Sequence, residues 1–272
     1  GANNNDGNGT NSGHVRIYNY NGTSWVQLGG DIDGEAAGDY SGSSVSLSSV
    51  GTTVAIRAYG NDGNGVDSGH VRIYNYNGNE WIQLGEDIDG EATGDAHQDK
   101  RLQPLSISSD GKTVALGAVF NDGYRSDSGH VRIYNYNGTA WTQLGEDIDG
   151  EATNDHFGWS ISLSSDGKTV ATGAVDNDGN GTNSGHVRIH NYNGSTWTQL
   201  GADINGEDAG DYSGQSVSMS SDGNTVAIGA FGNNGNGNSS GHVRIYSYNE
   251  TSWTQLGADI DGESASDNSG HS

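Results

Sequence analysis

Apolar and polar residues alternate in short runs along the whole chain. In Gly13-His14-Val15-Arg16-Ile17-Tyr18-Asn19-Tyr20, Val15 and Ile17 point to one face and Arg16 and Tyr18 to the other, which is the period of a β-strand. Asn21-Gly22 interrupts the run, and Trp25-Val26-Gln27-Leu28-Gly29 forms a second short strand. Asn-Gly between two such runs predicts a tight hairpin, because both residues accept positive φ. A further hairpin of the same kind is predicted from Ser216-Val217-Ser218-Met219-Ser220, the turn Ser221-Asp222-Gly223-Asn224, and Thr225-Val226-Ala227-Ile228-Gly229-Ala230. No segment carries the 3.6-residue period of an amphipathic helix.

The two hairpins recur. Ser-Gly-His-Val-Arg-Ile begins at Ser12, Ser68, Ser128, Ser184 and Ser240, and a Trp follows at constant distance at Trp25, Trp81, Trp141, Trp197 and Trp253. The repeat is therefore about 56 residues, except that residues 97–104 add four residues to one copy, with the chain's single Pro and a basic pair, Lys100 and Arg101. Four short antiparallel strands per repeat predict an all-β fold, a β-propeller of about 56-residue blades, with an open β-solenoid as the alternative. Residues 1–272 read as a single repeat domain, expected to be part of a longer chain. Gly1-Ala2 aligns with Gly229-Ala230 and Ser272 with Ser216, so five copies of the second hairpin accompany only four of the first. The missing hairpin is expected to leave unpaired strand edges and apolar faces, covered by further blades or by strands from a neighbouring molecule.

Asp211-Tyr212-Ser213-Gly214-Gln215-Ser216-Val217, Val226-Ala227-Ile228-Gly229-Ala230 and Ser240-Gly241-His242-Val243-Arg244-Ile245-Tyr246 resemble FG-GAP repeats, and Asp155-His156-Phe157-Gly158-Trp159-Ser160 retains the Phe-Gly pair. The resemblance implies an extracellular propeller used for binding or adhesion, often with calcium. The calcium loop of that family falls where this chain has only Ser109-Asp110-Gly111-Lys112, a turn too short to supply six oxygens.

Composition adds a candidate site elsewhere. The chain has 35 acids against 11 Lys and Arg, a net charge near −24, and no Cys. Such a charge disfavours nucleic acid and anionic lipid and attracts divalent cations. No apolar run is long enough to span a membrane as a helix. Acids collect after each Trp strand: Asp31, Asp33, Glu35 and Asp39, then Asp87, Asp89, Glu91 and Asp95, then Asp147, Asp149, Glu151 and Asp155, with equivalents in the last two copies. Spacing i, i+2, i+4 in extended chain predicts three carboxylates on one side, a candidate Ca²⁺ site, against the alternative of a solvated rim. Asp176, Asp178 and Asn180 form a second candidate loop, against the alternative of an Asn/Gly turn that binds nothing.

The recurrent His14, His70, His130, His186 and His242 are read as structural hydrogen-bonding residues, since equivalent positions of a propeller lie far apart. The five Trp are expected to pack between repeats, with stacking on sugars as the alternative. No phosphate loop, zinc-protease motif or Gly-x-Ser-x-Gly elbow occurs; Gly111-Lys112-Thr113 lacks the required earlier glycine, Ser106 standing there. The expected function is thus a non-enzymatic extracellular or cell-surface protein of adhesion or structural assembly, partnered by copies of itself or other extracellular proteins. The alternative is a glycan-binding lectin with one site per blade.

Asn21, Asn137, Asn193 and Asn249 each begin an Asn-x-Ser/Thr sequon at one repeat position, in the predicted hairpin turn. After secretion from a eukaryotic host, intact-glycopeptide mass spectrometry is expected to find glycans on these four; bare asparagines would reject the assignment.

Overall fold

The structure is a computed structural model and describes residues 1–91, 93 and 104–272. Asp95 and the inserted His97, Asp99, Lys100 and Arg101 lie outside the described residues. Strands and turns make up the secondary structure of the described residues, with no helix among them. The chain divides into two compact units, residues 1–114 with 135–142 and residues 115–134 with 143–272.

Each complete repeat is a blade of β-propeller type. In the first unit, Ser41–Leu47, Thr53–Ala58, His70–Tyr76 and Trp81–Gln83 lie side by side in that order, all antiparallel. The second unit holds two blades of the same order, Phe157–Leu163 to Trp197–Gln199 and Ser216–Met219 to Trp253–Gln255. The four expected strands gain a fifth, the two-residue Ile88–Asp89, which pairs with the start of His70–Tyr76, His70 opposite Asp89 and Val71 opposite Ile88. Its sequence, Asp-Ile-Asp-Gly, is too short to show a period, so alternation could not reveal it.

The Thr-Val-Ala strand carries the core. Thr53–Ala58, Thr113–Ala118 and Thr169–Ala174 are buried along their whole length, covered on both faces. Small Ala at the third position is what lets the neighbouring sheet approach; Ala55, Ala115 and Ala171 are all 0% exposed. In the second unit Phe157, Leu163, Val170 and Ala174 of one repeat pack on Ala115, Val131, Ile133 and Ile148 of the preceding one.

A second contact joins the repeats. The indole Nε1–H of Trp81 donates to the carbonyl of Leu28 at 2.8 Å, and that of Trp141 to Leu84 at 2.6 Å, in the first unit. In the second, Trp197 donates to Leu144 at 2.6 Å and Trp253 to Leu200 at 2.8 Å. These four Trp are half-buried and rest against a Tyr of their own hairpin, with Tyr76 and Trp81 ring centres 5.1 Å apart. Trp25 makes no such bond and is 70% exposed. The Gly after each acceptor Leu has no room for a side chain: Gly201, at φ +70°, would place a Cβ 3.0 Å from Trp253 Cδ1. Gly257, at φ +74°, has open space around it.

Both glycines occupy the left-handed region, so a β-branched residue at either incurs the same kind of backbone strain. Gly201→Val adds a collision with the indole and should destabilise by roughly 1 to 3 kcal/mol more than Gly257→Val. Urea unfolding followed by circular dichroism measures the difference, and equal losses would show that the Trp contact carries no packing energy.

Candidate functional site at the joints between repeats

The strand beginning at each recurrent His places His and Arg on successive turns of the pleat, and the short Asp-Ile-Asp strand beside it supplies acids. His14 pairs in register with Asp33, His186 with Asn205 and His242 with Asp261. In the first unit, Glu35 joins His70 and Asp87; in the second, Glu151 joins His186 and Asp203, and Glu207 joins His242 and Asp259. His14, Asp31 and Asp33 form the corresponding group of the first copy. In each group one ligand atom per residue lies within 4.8 Å of the others. His130 stands 3.7 Å from Asp147 in the same relation.

The expected convergence of three carboxylates from one segment is therefore corrected. A tight turn follows Asp-Ile-Asp-Gly, so Glu35 leaves the side of Asp31 and Asp33 and faces the His and Asp of the next repeat. The histidines, read as purely structural, are members of these groups.

Arginine sits in the same groups. Arg72 contacts Glu35 and places Nε 3.0 Å from Asp87 Oδ1. Arg188 and Arg244 are almost wholly buried; each donates to a backbone carbonyl of the preceding repeat, Asp149 at 2.6 Å and Asn205 at 2.8 Å, and lies 3.4 and 3.5 Å from Glu151 and Glu207. Arg16 instead forms a two-pronged pair with its own Asp31, at 2.9 and 2.7 Å, which holds the Asp31 carboxyl down at about 2. A guanidinium thus already neutralises part of the carboxylate charge at which a cation would sit. One imidazole with two carboxylates suits an ion that accepts nitrogen, such as Zn²⁺, better than Ca²⁺, which takes six to eight oxygens.

The other predicted residues separate from these groups. Asp39 and Asp155 are buried and brace turns, accepting the backbone N–H of Ala36 at 2.9 Å and Ala152 at 3.0 Å. Asn177 also donates to Asp155 at 3.0 Å. Asp89 and Asp149 lie on the short strand, and burial followed by the nearby Asp147 raises the Asp149 carboxyl. The Glu91 carbonyl accepts from Asn64 at 3.0 Å.

In the second candidate loop, Asp176 Oδ2 accepts from His156 Nδ1 at 2.6 Å, Asp178 Oδ1 accepts the N–H of Asn183 at 2.8 Å, and the Asn180 amide donates to the carbonyls of Gly206 and Glu207. The Asp178 bond closes the loop on itself while the others tie it to His156 and to the turn at Gly206 and Glu207, and Asn234, an uncharged residue, makes the same bond as Asp178. The loop is a hydrogen-bonded turn with its polar groups engaged. Asn8 makes the same two bonds as Asn180, to Gly34 and Glu35, so the amides of both are occupied although each begins a sequon. Asn21, Asn137, Asn193 and Asn249 are exposed, as the hairpin position requires.

Open recesses lie beside two of the joints. One of about 310 Å³ is lined by Asp31, Asp33, Tyr74, Glu80 and Trp81; another of about 240 Å³ by Asp147, Asp149, Arg188, His190 and Trp197. Each offers carboxylates, hydrogen-bond donors and the edge of an indole.

Residues 148–189 and 205–246 match the family model described as FG-GAP repeat. No curated protein sequence matches the chain. Among solved structures, it resembles a protein from Bacteroides uniformis described as a 6-phosphogluconolactonase, at 14% identity over 88% of this chain and 65% of that one, with a TM-score of 0.54. It also resembles the periplasmic gluconolactonase of Pseudomonas aeruginosa, at 13% identity over 90% of this chain and 63% of that one, TM-score 0.55. The β-propeller domain of a protease from Pyrococcus furiosus aligns at 10% identity over 79% and 57%, TM-score 0.46. The chain spans less than two thirds of the two lactonase chains. At these identities the likeness concerns the fold. It nevertheless corrects the exclusion of enzymatic activity drawn from missing motifs: lactonases are among the proteins of this fold, and carboxylates and histidines brought together from separate loops leave no linear signature.

The buried histidines give stability a pH dependence. Burial, then the charge of Arg188, pushes the His190 imidazole down to about 4, and burial likewise lowers His70, His186 and His242. These groups bind fewer protons folded than unfolded, so their stabilisation is complete above about pH 6.5 and is lost as the pH falls toward 4. His190 alone accounts for up to about 3 kcal/mol of this loss. His190→Tyr, which restores the residue of the other copies, should flatten the decline of the urea midpoint between pH 7 and pH 4.5; an unchanged slope would remove His190 from the account.

Proposed function

We propose that the chain is the repeat scaffold of an extracellular or cell-surface protein serving adhesion or structural assembly, with its joints stiffened by divalent cations. The observation that carries this reading is the placement of the chemistry: His, Arg and two carboxylates meet repeatedly where repeats join, around His70, His186 and His242, rather than in one distinctive cleft. FG-GAP repeats and a strongly acidic surface with four exposed sequons support a location outside the cell. Beads coated with the chain should adhere to cell surfaces or to one another in a cation-dependent way, and retention no greater than that of uncoated beads would defeat the proposal.

A glycan-binding function is favoured by a separate observation, the recesses beside two of the joints, each lined by a Trp and paired carboxylates. Aromatic edge and hydrogen-bonding acid together suit a sugar ring. A glycan array distinguishes the two readings, since saturable binding that is lost in Trp81→Ala and Trp197→Ala assigns the recesses to sugars.

For the cations, chelator at constant ionic strength should lower the melting temperature, because ions bound only by the folded state stabilise it by mass action. Zn²⁺ should restore it at lower concentration than Ca²⁺ if the imidazole is a ligand. An unchanged melting temperature in chelator leaves the groups as ion pairs with arginine.

A further inference from the structure

We propose that His242, Glu207 and Asp259 form a binding site for one tetrahedral transition-metal dication of the Zn²⁺ class, an inference that rests on the reading of cation-stiffened joints and gives it a particular joint. His242 opens the strand His242–Tyr248, Asp259 follows the strand Trp253–Gln255 of the same repeat, and Glu207 comes from the repeat before. An ion held by all three would tie the two repeats together. The His242 side chain is 1% exposed, and its Nδ1 has no hydrogen-bond partner. A buried imidazole with an idle nitrogen costs free energy unless a ligand engages it.

That nitrogen is aimed between the two carboxylates, 3.5 Å from Asp259 Oδ2 and 3.9 Å from Glu207 Oε2. Both distances exceed the roughly 2.7 to 3.2 Å of a hydrogen bond from nitrogen. They are close instead to the spacing of ligands around a tetrahedral ion, where bonds of about 2.0 to 2.2 Å set neighbouring ligand atoms about 3.3 to 3.6 Å apart. Gln255 Nε2 donates to Asp259 Oδ1 at 2.6 Å, which fixes that carboxylate and leaves Oδ2 for the ion. Glu207 is 45% exposed at its side chain, so a small rotation brings its oxygen into range, and water supplies the fourth ligand.

Arginine separates this group from its counterparts. Around His70 the Nδ1 is likewise unpartnered, 3.4 Å from Asp87 and 3.9 Å from Glu35, but Arg72 contacts both carboxylates and already provides the positive charge. Arg16 does the same at Asp31. Arg244 instead donates to the Asn205 carbonyl at 2.8 Å and stands 3.5 Å from Glu207, so Asp259 keeps its charge for the ion. At His186 the arginine is placed as Arg244 is, yet Nδ1 approaches Asp203 only to 3.8 Å, and Nε2 is the nitrogen buried without a partner. One nitrogen among the ligands selects Zn²⁺ or Co²⁺ over Ca²⁺ and Mg²⁺.

The test uses Co²⁺ as a spectroscopic stand-in for Zn²⁺ on the 272-residue chain stripped with chelator. Tetrahedral Co²⁺ absorbs visible light strongly and octahedral Co²⁺ weakly. The expected result is a strong visible band that saturates at about one ion per chain and is bleached by Zn²⁺ but not by Ca²⁺. Glu207→Gln and Asp259→Asn should each weaken binding at least about tenfold. Both side chains reach solvent, so the variants should keep their fold, which circular dichroism verifies. Glu35→Gln, at the joint where arginine holds the carboxylates, should leave the band unchanged. A band that survives both variants at the His242 joint, or that weakens with Glu35→Gln, overturns the assignment while leaving cations at the joints. Calorimetric binding of Ca²⁺ without a tetrahedral Co²⁺ band does the same. Calorimetry that detects binding of none of Co²⁺, Zn²⁺ and Ca²⁺ overturns this site and the cation-stiffened joints together.

Discussion

A single hydrogen bond, repeated, governs how this chain is put together: an indole N–H donates to the leucine carbonyl of the preceding repeat. The neighbouring residues adapt to it. The residue after the acceptor must be Gly, since Gly85, Gly145 and Gly201 would each bring a Cβ to within 3.0 Å of the indole. Ile32, Ile88, Ile148 and Ile204 stay nearly dry beside joints of this kind, whereas Ile260, at the joint position of the last repeat, is 55% exposed. Each such bond contributes only about 1 kcal/mol net. Its importance lies in fixing the register in which larger apolar faces meet.

Charge is organised by the same joints. A chain with 24 net negative charges resists compaction, and the Arg of each His-Val-Arg-Ile motif is the nearest source of relief. Arg188 and Arg244 are buried between a carbonyl and a carboxylate of the preceding repeat. Arg16 turns back to Asp31 and remains 45% exposed at its side chain. The residue type is constant while its partner changes with the neighbouring repeat, so the arginines respond to the joint and do not create it.

Periodicity made the blades legible from the sequence: alternation located the strands, Asn-Gly and Asp-Gly located the turns, and the spacing of Trp marked the repeat. The acceptor of each Trp was not legible, because a backbone carbonyl leaves no mark on composition. The carboxylates illustrate a related limit. Asp31, Asp33 and Glu35 alternate within five residues of sequence, but the turn that follows Asp33-Gly34 sends Glu35 to another repeat, which only the chain path reveals. Asp39 and Asp155 belong to the same acidic segments, yet they are buried braces of a turn. The two-residue strand at Ile88–Asp89 was too short to carry a period, and the functions of a fold shared with lactonases could not be bounded by linear motifs.

Hydrogen exchange of the tryptophan side chains, observed by NMR, separates indoles bonded across a joint from a free one. The Nε1–H of Trp81, Trp141, Trp197 and Trp253 should exchange slowly and that of Trp25 at once. Exchange of all five at the rate of Trp25 would mean that indole-to-carbonyl bonds do not join the repeats.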